Sequence, residues 1–348
     1  MKDKGAALLI TVMLIAAMTY LITELTYTSR VNISSTQNFV NRMKAYYLAR
    51  SGVEAAKLLL SYDLEQDREN HKRIDYIAKW EENPLNQQSF DEVWSYFATD
   101  RPPIPLRDFG AVSLKIEDEE SKINLNAINR GKASEKGLRD PEIRRFVSYL
   151  EKLGVDPDVA ESFVFPLIDW IDYNDDPLPD GAESAYYLTL SPPYEARNSM
   201  LPHFSDLFMI KNSTIELMKK IAPYVTVYPK EKTKNFFLNV NTAPAKVLMY
   251  LSPDIDEEMA DEIVQAREEG PFETMADFKD VLADVGLTED EIRDIITFSS
   301  KYNLRVRLYS DTFSVRSTGF FSDSSVTIDT VLRRRGNNRF DVYYWSIH

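Results

Sequence analysis

The longest unbroken pattern in the chain lies at its start. Residues 6–22 carry no charge, glycine or proline. As a helix that run spans roughly 26 Å, the short end of what crosses a bilayer. Helical character continues from residue 25 to about 62, because no proline precedes Pro84 and Gly5 is the only glycine before Gly52. Past the apolar run, Phe39, Met43, Tyr46, Val53, Ala56 and Leu60 recur at three, four or seven residues. That spacing makes one face of a helix and predicts burial of Val53 and Leu60, whether against a sheet or any other core.

Residues 62–105 are polar with aromatic anchors and predict short helices over 73–82 and 90–97, closed by Pro102, Pro103 and Pro105. Alternation from Val112 to Ile116 predicts a half-buried strand within residues 109–118. From Lys122 the period turns helical for nearly 180 residues. Helices are expected over 141–153, 159–172, 244–251, 257–268, 275–284 and 289–302, with Pro157 and Pro244 suited to first turns. The hexad Ile123-Asn-Leu-Asn-Ala-Ile128 is echoed 115 residues on by Leu238-Asn-Val-Asn-Thr-Ala243. The echo suggests two related helical modules, with chance recurrence as the alternative. The tail alternates again over 303–309, 312–320, 325–335 and 339–347, with a hairpin signal at Gly336-Asn337-Asn338. The expected sheet is an antiparallel meander of strand 109–118 and these four, with the helical block inserted into it.

Charge orients the apolar run. Lys2 and Lys4 precede it and no basic residue follows until Arg30, which puts the N-terminus in the cytoplasm and the chain after about Glu24 outside. A net charge of −14 argues against phosphate-rich partners. There is no cysteine, and the histidines His71, His203 and His348 stand far apart. Thiol chemistry is excluded and histidine-dependent chemistry is disfavoured.

Two stretches carry candidate chemistry. In residues 169–183, Asp172, Asn174, Asp175, Asp176, Asp180 and Glu183 crowd a loop bent by proline and glycine. Hard oxygen donors on such a loop suit calcium, without an EF-hand spacing; a solvated acidic loop is the alternative. Acid–base catalysis by the same carboxylates lacks any nucleophile or basic partner nearby. Residues 238–272 resemble a helix-hairpin-helix module. Its turn, Ser252-Pro-Asp-Ile-Asp256, lacks glycine and holds two carboxylates, with Glu257, Glu258, Asp261 and Glu262 following, so duplex binding is not expected. The triple Arg333-Arg-Arg335 is expected to be a solvated strand tip or a partner contact.

The charged tip, Gly5, apolar run and long helix resemble a type IV pilin-like precursor, cut between Gly5 and Ala6 by a prepilin peptidase; an uncleaved signal anchor is the alternative. Further motifs narrow the likeness: Ala49-Arg-Ser-Gly-Val-Glu-Ala-Ala56, Ile123-Asn-Leu-Asn126, Leu167-Ile-Asp-Trp-Ile-Asp172, Asp180-Gly-Ala-Glu-Ser-Ala-Tyr-Tyr187 and Asn239-Val-Asn-Thr-Ala243. With these the chain resembles the type II secretion minor pseudopilin K family (general secretion pathway protein K). The resemblance implies an α+β fold in which a pilin-like long helix packs on an antiparallel sheet. Into the sheet would be inserted an all-α region of two SAM-like or helix-hairpin-helix-like modules. Expected divisions are a leader (1–5), a transmembrane half-helix (6–24), a pilin-like domain (25–121 and 303–348) and modules at 122–234 and 235–302. The family likeness implies a non-enzymatic subunit anchored once in the bacterial inner membrane, periplasmic after about residue 25 and later at the tip of a pseudopilus. Its partners would be minor pseudopilins I and J, the prepilin peptidase and the major pseudopilin below, with no nucleic acid. It also implies bound calcium, with Asp172, Asp175, Asp176, Asp180 and Glu183 as candidate ligands. A minor pilin of a related type IV pilus and a membrane-anchored DNA-uptake protein are the alternatives.

Two positions depart from the general pilin pattern. Cleavage would leave Ala6 first, where Phe is usual, and Ile10 fifth, where Glu is usual. A carboxylate in the bilayer is costly and persists by pairing with the amine of the subunit above. With Ile10 there is no such pair to make, as a topmost subunit requires.

Overall fold

In a computed structural model of the chain, residues 2–74, 93–128, 140–230, 236–296, 304–336 and 339–348 are described. Residues 75–82 of the helix predicted over 73–82, residues 90–92 of that over 90–97, the end of that over 289–302 and Asn337-Asn338 of the hairpin lie outside them.

Helix α1 (Lys2–Ile74) is continuous. Within its apolar half the hydroxyls of Thr19, Thr23 and Thr26 donate to carbonyls four residues back at 2.8, 2.8 and 2.7 Å. These three hydroxyls are thus satisfied within the helix rather than by lipid. A 3-10 turn (Val93–Phe97) leads to β1 (Ile104–Pro105) and β2 (Ala111–Asp118). The inserted region then runs through β3 (Ile123–Asn124), α2 (Pro141–Lys152), α3 (Pro157–Ile171), α4 (Ser184–Tyr187), α5 (Ile215–Ile221) and β4 (Val225–Thr226). Its second half holds β5 (Phe236–Asn239), α6 (Ala245–Leu248), α7 (Glu257–Glu269), α8 (Met275–Asp284), α9 (Glu289–Ile296) and β6 (Leu304–Arg307). The tail is β7 (Thr312–Phe321), β8 (Ser324–Arg334) and β9 (Phe340–Ile347).

The main sheet has the order β1-β2-β7-β8-β9, every pair antiparallel. This corrects the predicted meander at one edge. The stretch expected as its first closing strand, β6, pairs in parallel with β5 instead. The fifth strand of the sheet is β1, two residues in the proline cluster whose shortness left no alternation to read.

α1 lies on this sheet through a stripe of small and branched residues. Ala49, Val53, Ala56 and Leu60 are fully buried against Leu114, Ile116, Phe313, Val315, Ile328 and Leu332, and Ala45 is fully buried beside Gly319. Phe39, counted with that stripe in the sequence, is 65% exposed because it precedes the sheet. The approach is close: a Cβ at Gly319 of β7 would overlap the backbone of Ala45 and Ala49, and one at Gly52 would overlap Ser317. Both positions need glycine for space.

The two modules of the insertion repeat one design, so the hexad echo is a structural one. In each, the first Asn accepts from the backbone N–H of the second (Asn124 from Asn126, 2.9 Å; Asn239 from Asn241, 3.0 Å). The second Asn then binds a distant loop and the residue after a parallel strand. Asn126 accepts from Leu201 N and donates to the carbonyls of Leu201 and Val227. Asn241 accepts from Phe272 N and donates to the carbonyls of Phe272 and Leu308. Strand pairs β3–β4 and β5–β6 occupy equivalent places. Both modules share one continuous hydrophobic core.

The insertion joins the sheet at the end of α1 away from the apolar run. Arg334 corrects the reading of the arginine triple as a solvated tip. It is 3% exposed and its guanidinium donates to Asp63 (3.1 Å) and Leu60 O (2.8 Å) of α1 and to Ser310 O (2.8 Å) of the returning chain. Ser310 Oγ and Thr242 Oγ1 donate to buried Asp118 at 2.5 Å each. Burial outweighs these bonds and pushes the Asp118 carboxyl up to about 6. Glu120 accepts from Thr312 Oγ1 at 2.9 Å and pairs with Arg307.

Candidate functional site

The acidic segment is assembled by the end of α3. Asp169, in the last turn, turns back on the loop that follows and accepts from Leu178 N (3.1 and 3.2 Å) and Ala182 N (2.7 Å). Gly181 passes so near Asp169 that a Cβ there would overlap its carboxylate. One turn on, Asp172 accepts from the backbone and side-chain nitrogens of Asn174 at 3.1 and 2.9 Å. Glu183, at the start of α4, is buried, and neither of its carboxylate oxygens has a hydrogen-bond partner.

These three carboxylates place one oxygen each within 4.8 Å of one another. Desolvation and mutual repulsion hold Glu183 up at about 8, and desolvation raises Asp169 to about 6 and Asp172 above the usual aspartate range. The structure therefore joins Asp172 and Glu183 of the sequence candidates to Asp169, which the sequence reading left out of the ligand set. Asp175, Asp176 and Asp180 are exposed on the loop outside this cluster, and Asp175 accepts from Asn198 at 2.8 Å. A buried carboxyl without hydrogen-bond partners, beside two further carboxylates, is a donor set that fits a hard divalent cation.

The helix-hairpin-helix turn meets another part of the chain. Lys152, at the end of α2, donates to the carbonyls of Met249 (3.4 Å), Ser252 (3.1 Å) and Ile255 (2.7 Å) around the turn. Asp256 caps α7 through Met259 N at 2.9 Å, so a carboxylate takes the helix N-terminus where a phosphate would sit.

On α1, Ile10 is 59% exposed and Gly5 and Ala6 lie within the helix. One helix, Leu8–Leu64, is long and apolar enough to cross a membrane. Beyond the apolar run a second apolar stripe of α1, Ile33, Val40, Tyr47, Leu58 and Tyr62, is 39–68% exposed. Beside it Ala55, Leu59, Ile104 and Leu106 help line an open groove of about 570 Å³.

Two family models match, "Type II secretion system (T2SS), protein K" in both descriptions, over residues 121–230 and 238–294. Type II secretion system protein K of Pseudomonas aeruginosa is 28% identical over 82% of this chain and 78% of its own length. That of Pectobacterium carotovorum is 25% identical over 97% and 98%. The chain belongs to the type II secretion protein K family. The fold agrees. The crystal structure of the GspK-GspI-GspJ complex from enterotoxigenic Escherichia coli contains a chain that superposes with a TM-score of 0.66 at 20% identity, covering 91% of this chain and 99% of that one. By that membership the chain is a type II secretion minor pseudopilin, and it has the expected α+β, pilin-like architecture. In these terms the acidic cluster belongs to the inserted region, and the exposed stripe and groove belong to the pilin-like part.

Proposed function

We propose that this protein is a non-enzymatic subunit that starts and caps the pseudopilus, supporting export of folded proteins. The observation that carries the reading is where the insertion sits. Gly319 of the sheet meets α1 at Ala45 and Ala49, whereas Arg334 and Ser310, at the root of the insertion, meet it at Leu60 and Asp63. The insertion therefore stands towards the membrane-distal end of α1, where a subunit stacked above would have to fit. Ile10 supports the same place, because a subunit with nothing above it needs no carboxylate at that position. Removal of the leader at Gly5 by a prepilin peptidase would free Ala6 to meet a carboxylate from the major pseudopilin below. The exposed stripe of α1 and its groove suit apolar helices of neighbouring subunits. Minor pseudopilins I and J are the partners proposed, since a structural neighbour of this fold was solved with two such chains. Lys2 and Lys4 ahead of the apolar run support an anchor in the inner membrane with the rest of the chain periplasmic.

Calcium is proposed at Asp169, Asp172 and Glu183, where it would neutralise the buried charge and tie α3 to the start of α4. Asp175, Asp176 and Asp180 would supply negative potential around it.

The chain has no cysteine, so one introduced by Glu216→Cys on the exposed face of α5 gives a single label. Gold bound there should mark one end of each isolated fibre. Label spread along the shaft would remove the capping role.

A further inference from the structure

The two edges of the main sheet are built differently. β1 is two residues long and ends in Pro105, behind Pro102 and Pro103. Shortness and proline are ordinary ways of closing an edge to other strands. At the opposite edge β9 runs for eight residues without proline or lysine.

The register shows which backbone groups of β9 are free. Thr327 and His348 exchange both of their hydrogen bonds, at 3.1 and 2.9 Å. The N–H and C=O of Ser346 therefore also face β8, and those of Trp345 and Ile347 point outward. Among the described residues nothing bonds to those outward groups. The side chains of Val342, Trp345 and Ile347 stand opposite Leu332, Thr330 and Ile328 on the α1 side of the sheet. They remain 50%, 36% and 49% exposed, because α1 covers β2, β7 and β8 and stops short of β9. From the other face the strand is held in place: Tyr343 stacks on Tyr228, and Tyr344 meets His203 edge-on. The register shifts between Val331 and Leu332, with Tyr343 as the extra residue on β9, and residues 344–347 beyond it pair in unbroken register. At the hairpin end Arg335 is paired with Asp341 at 2.7 Å, and the Arg339 side chain is exposed.

From this asymmetry we propose that β9 accepts an extended strand from a neighbouring pilin-type subunit of the same fibre. The free amides and carbonyls call for a strand, the Val342–Trp345–Ile347 strip calls for apolar side chains on it, and Arg339 calls for a carboxylate at its end. The inference rests on the chain being a fibre subunit and adds to it a surface on the edge of the sheet, apart from α1.

The test uses the full-length protein in detergent, alone and co-purified with the I and J pseudopilins of the same system. Amide exchange at Trp345 and Ile347 is expected to slow about tenfold or more in the complex, while Ser346 and His348 are protected in both samples. Ile347→Pro removes one outward N–H and leaves the β8–β9 bonds in place. It should weaken the complex about tenfold, with protection of Ser346 reporting that the strand is still folded. A complex that forms with fast exchange at both positions overturns the strand and leaves the fibre reading intact. So does binding that tolerates Ile347→Pro while Trp345→Ala weakens it, the mark of a helix lying across the strip. Slowed exchange in the protein alone would assign the edge to a second copy. Failure of any complex to form would overturn both readings.

Discussion

Glu183 concentrates the chemistry of the acidic cluster. Its raised pKa, with those of Asp169 and Asp118, means that these three groups hold more protons in the folded chain without cation than in the unfolded chain from about pH 4 to about pH 8. Stability should therefore fall as pH rises through that window and level off above it. A bound divalent cation replaces those protons, so calcium should raise the melting temperature strongly at pH 8 and little at pH 5. Glu183→Gln should flatten the metal-free pH profile and weaken calcium at least about tenfold, the cost of disturbing even an outer-shell partner. Melting curves with calcium and with a chelator at both pH values check this, and equal calcium shifts at pH 5 and pH 8 would contradict it. The crowding of carboxylates was legible in the sequence, but their sorting was not. Asp169 joins the cluster because its carboxylate reaches backbone amides nine and thirteen residues ahead. The spacing of acidic residues does not encode that reach. Gly181 in the following loop was the one available hint, as the residue that makes room for it.

Among the elements, the contact of α1 with β7 sets the geometry of the pilin-like part. Gly319→Ala would push a methyl group into the helix backbone and should cost about 1–3 kcal/mol, read as a lower melting temperature. Arg334→Met should cost more, about 3–5 kcal/mol, because Asp63 would stay buried without its partner. Arg334→Met combined with Asp63→Leu should recover much of that loss; no recovery would show that the bonds to Leu60 O and Ser310 O carry the effect. The periodic elements were legible, and α7, α8 and β7 to β9 fall within a residue or so of their predicted bounds. The pairing of β6 was not. A strand of alternating Arg and apolar residues satisfies a main-sheet edge and a two-stranded parallel ladder equally well. The choice was made by Asn239 and Asn241, which bind Ser310 and Leu308 just beyond it. Arg334 was misread for a similar reason, since a triple of arginines looks solvated until the helix carboxylate beneath it is known.

For the molecule as a whole, a shared core predicts that the two modules unfold together. Asn126→Ala leaves buried groups of Leu201 and Val227 without partners, and Asn241→Ala does the same to Phe272 and Leu308. Each should cost about 3 kcal/mol and speed hydrogen exchange across both modules alike. Acceleration confined to the mutated half would show two independent units. The close seat of α1 on Gly319 and the tie of Arg334 to its far end also bear on mechanics. An axial push or pull on the membrane end of α1 cannot be taken up by sliding along the sheet, because the glycine contacts interlock the two backbones. It passes instead through Arg334 and Ser310 into the insertion. Helix and insertion are therefore coupled, so that an axial displacement of α1 carries the insertion with it.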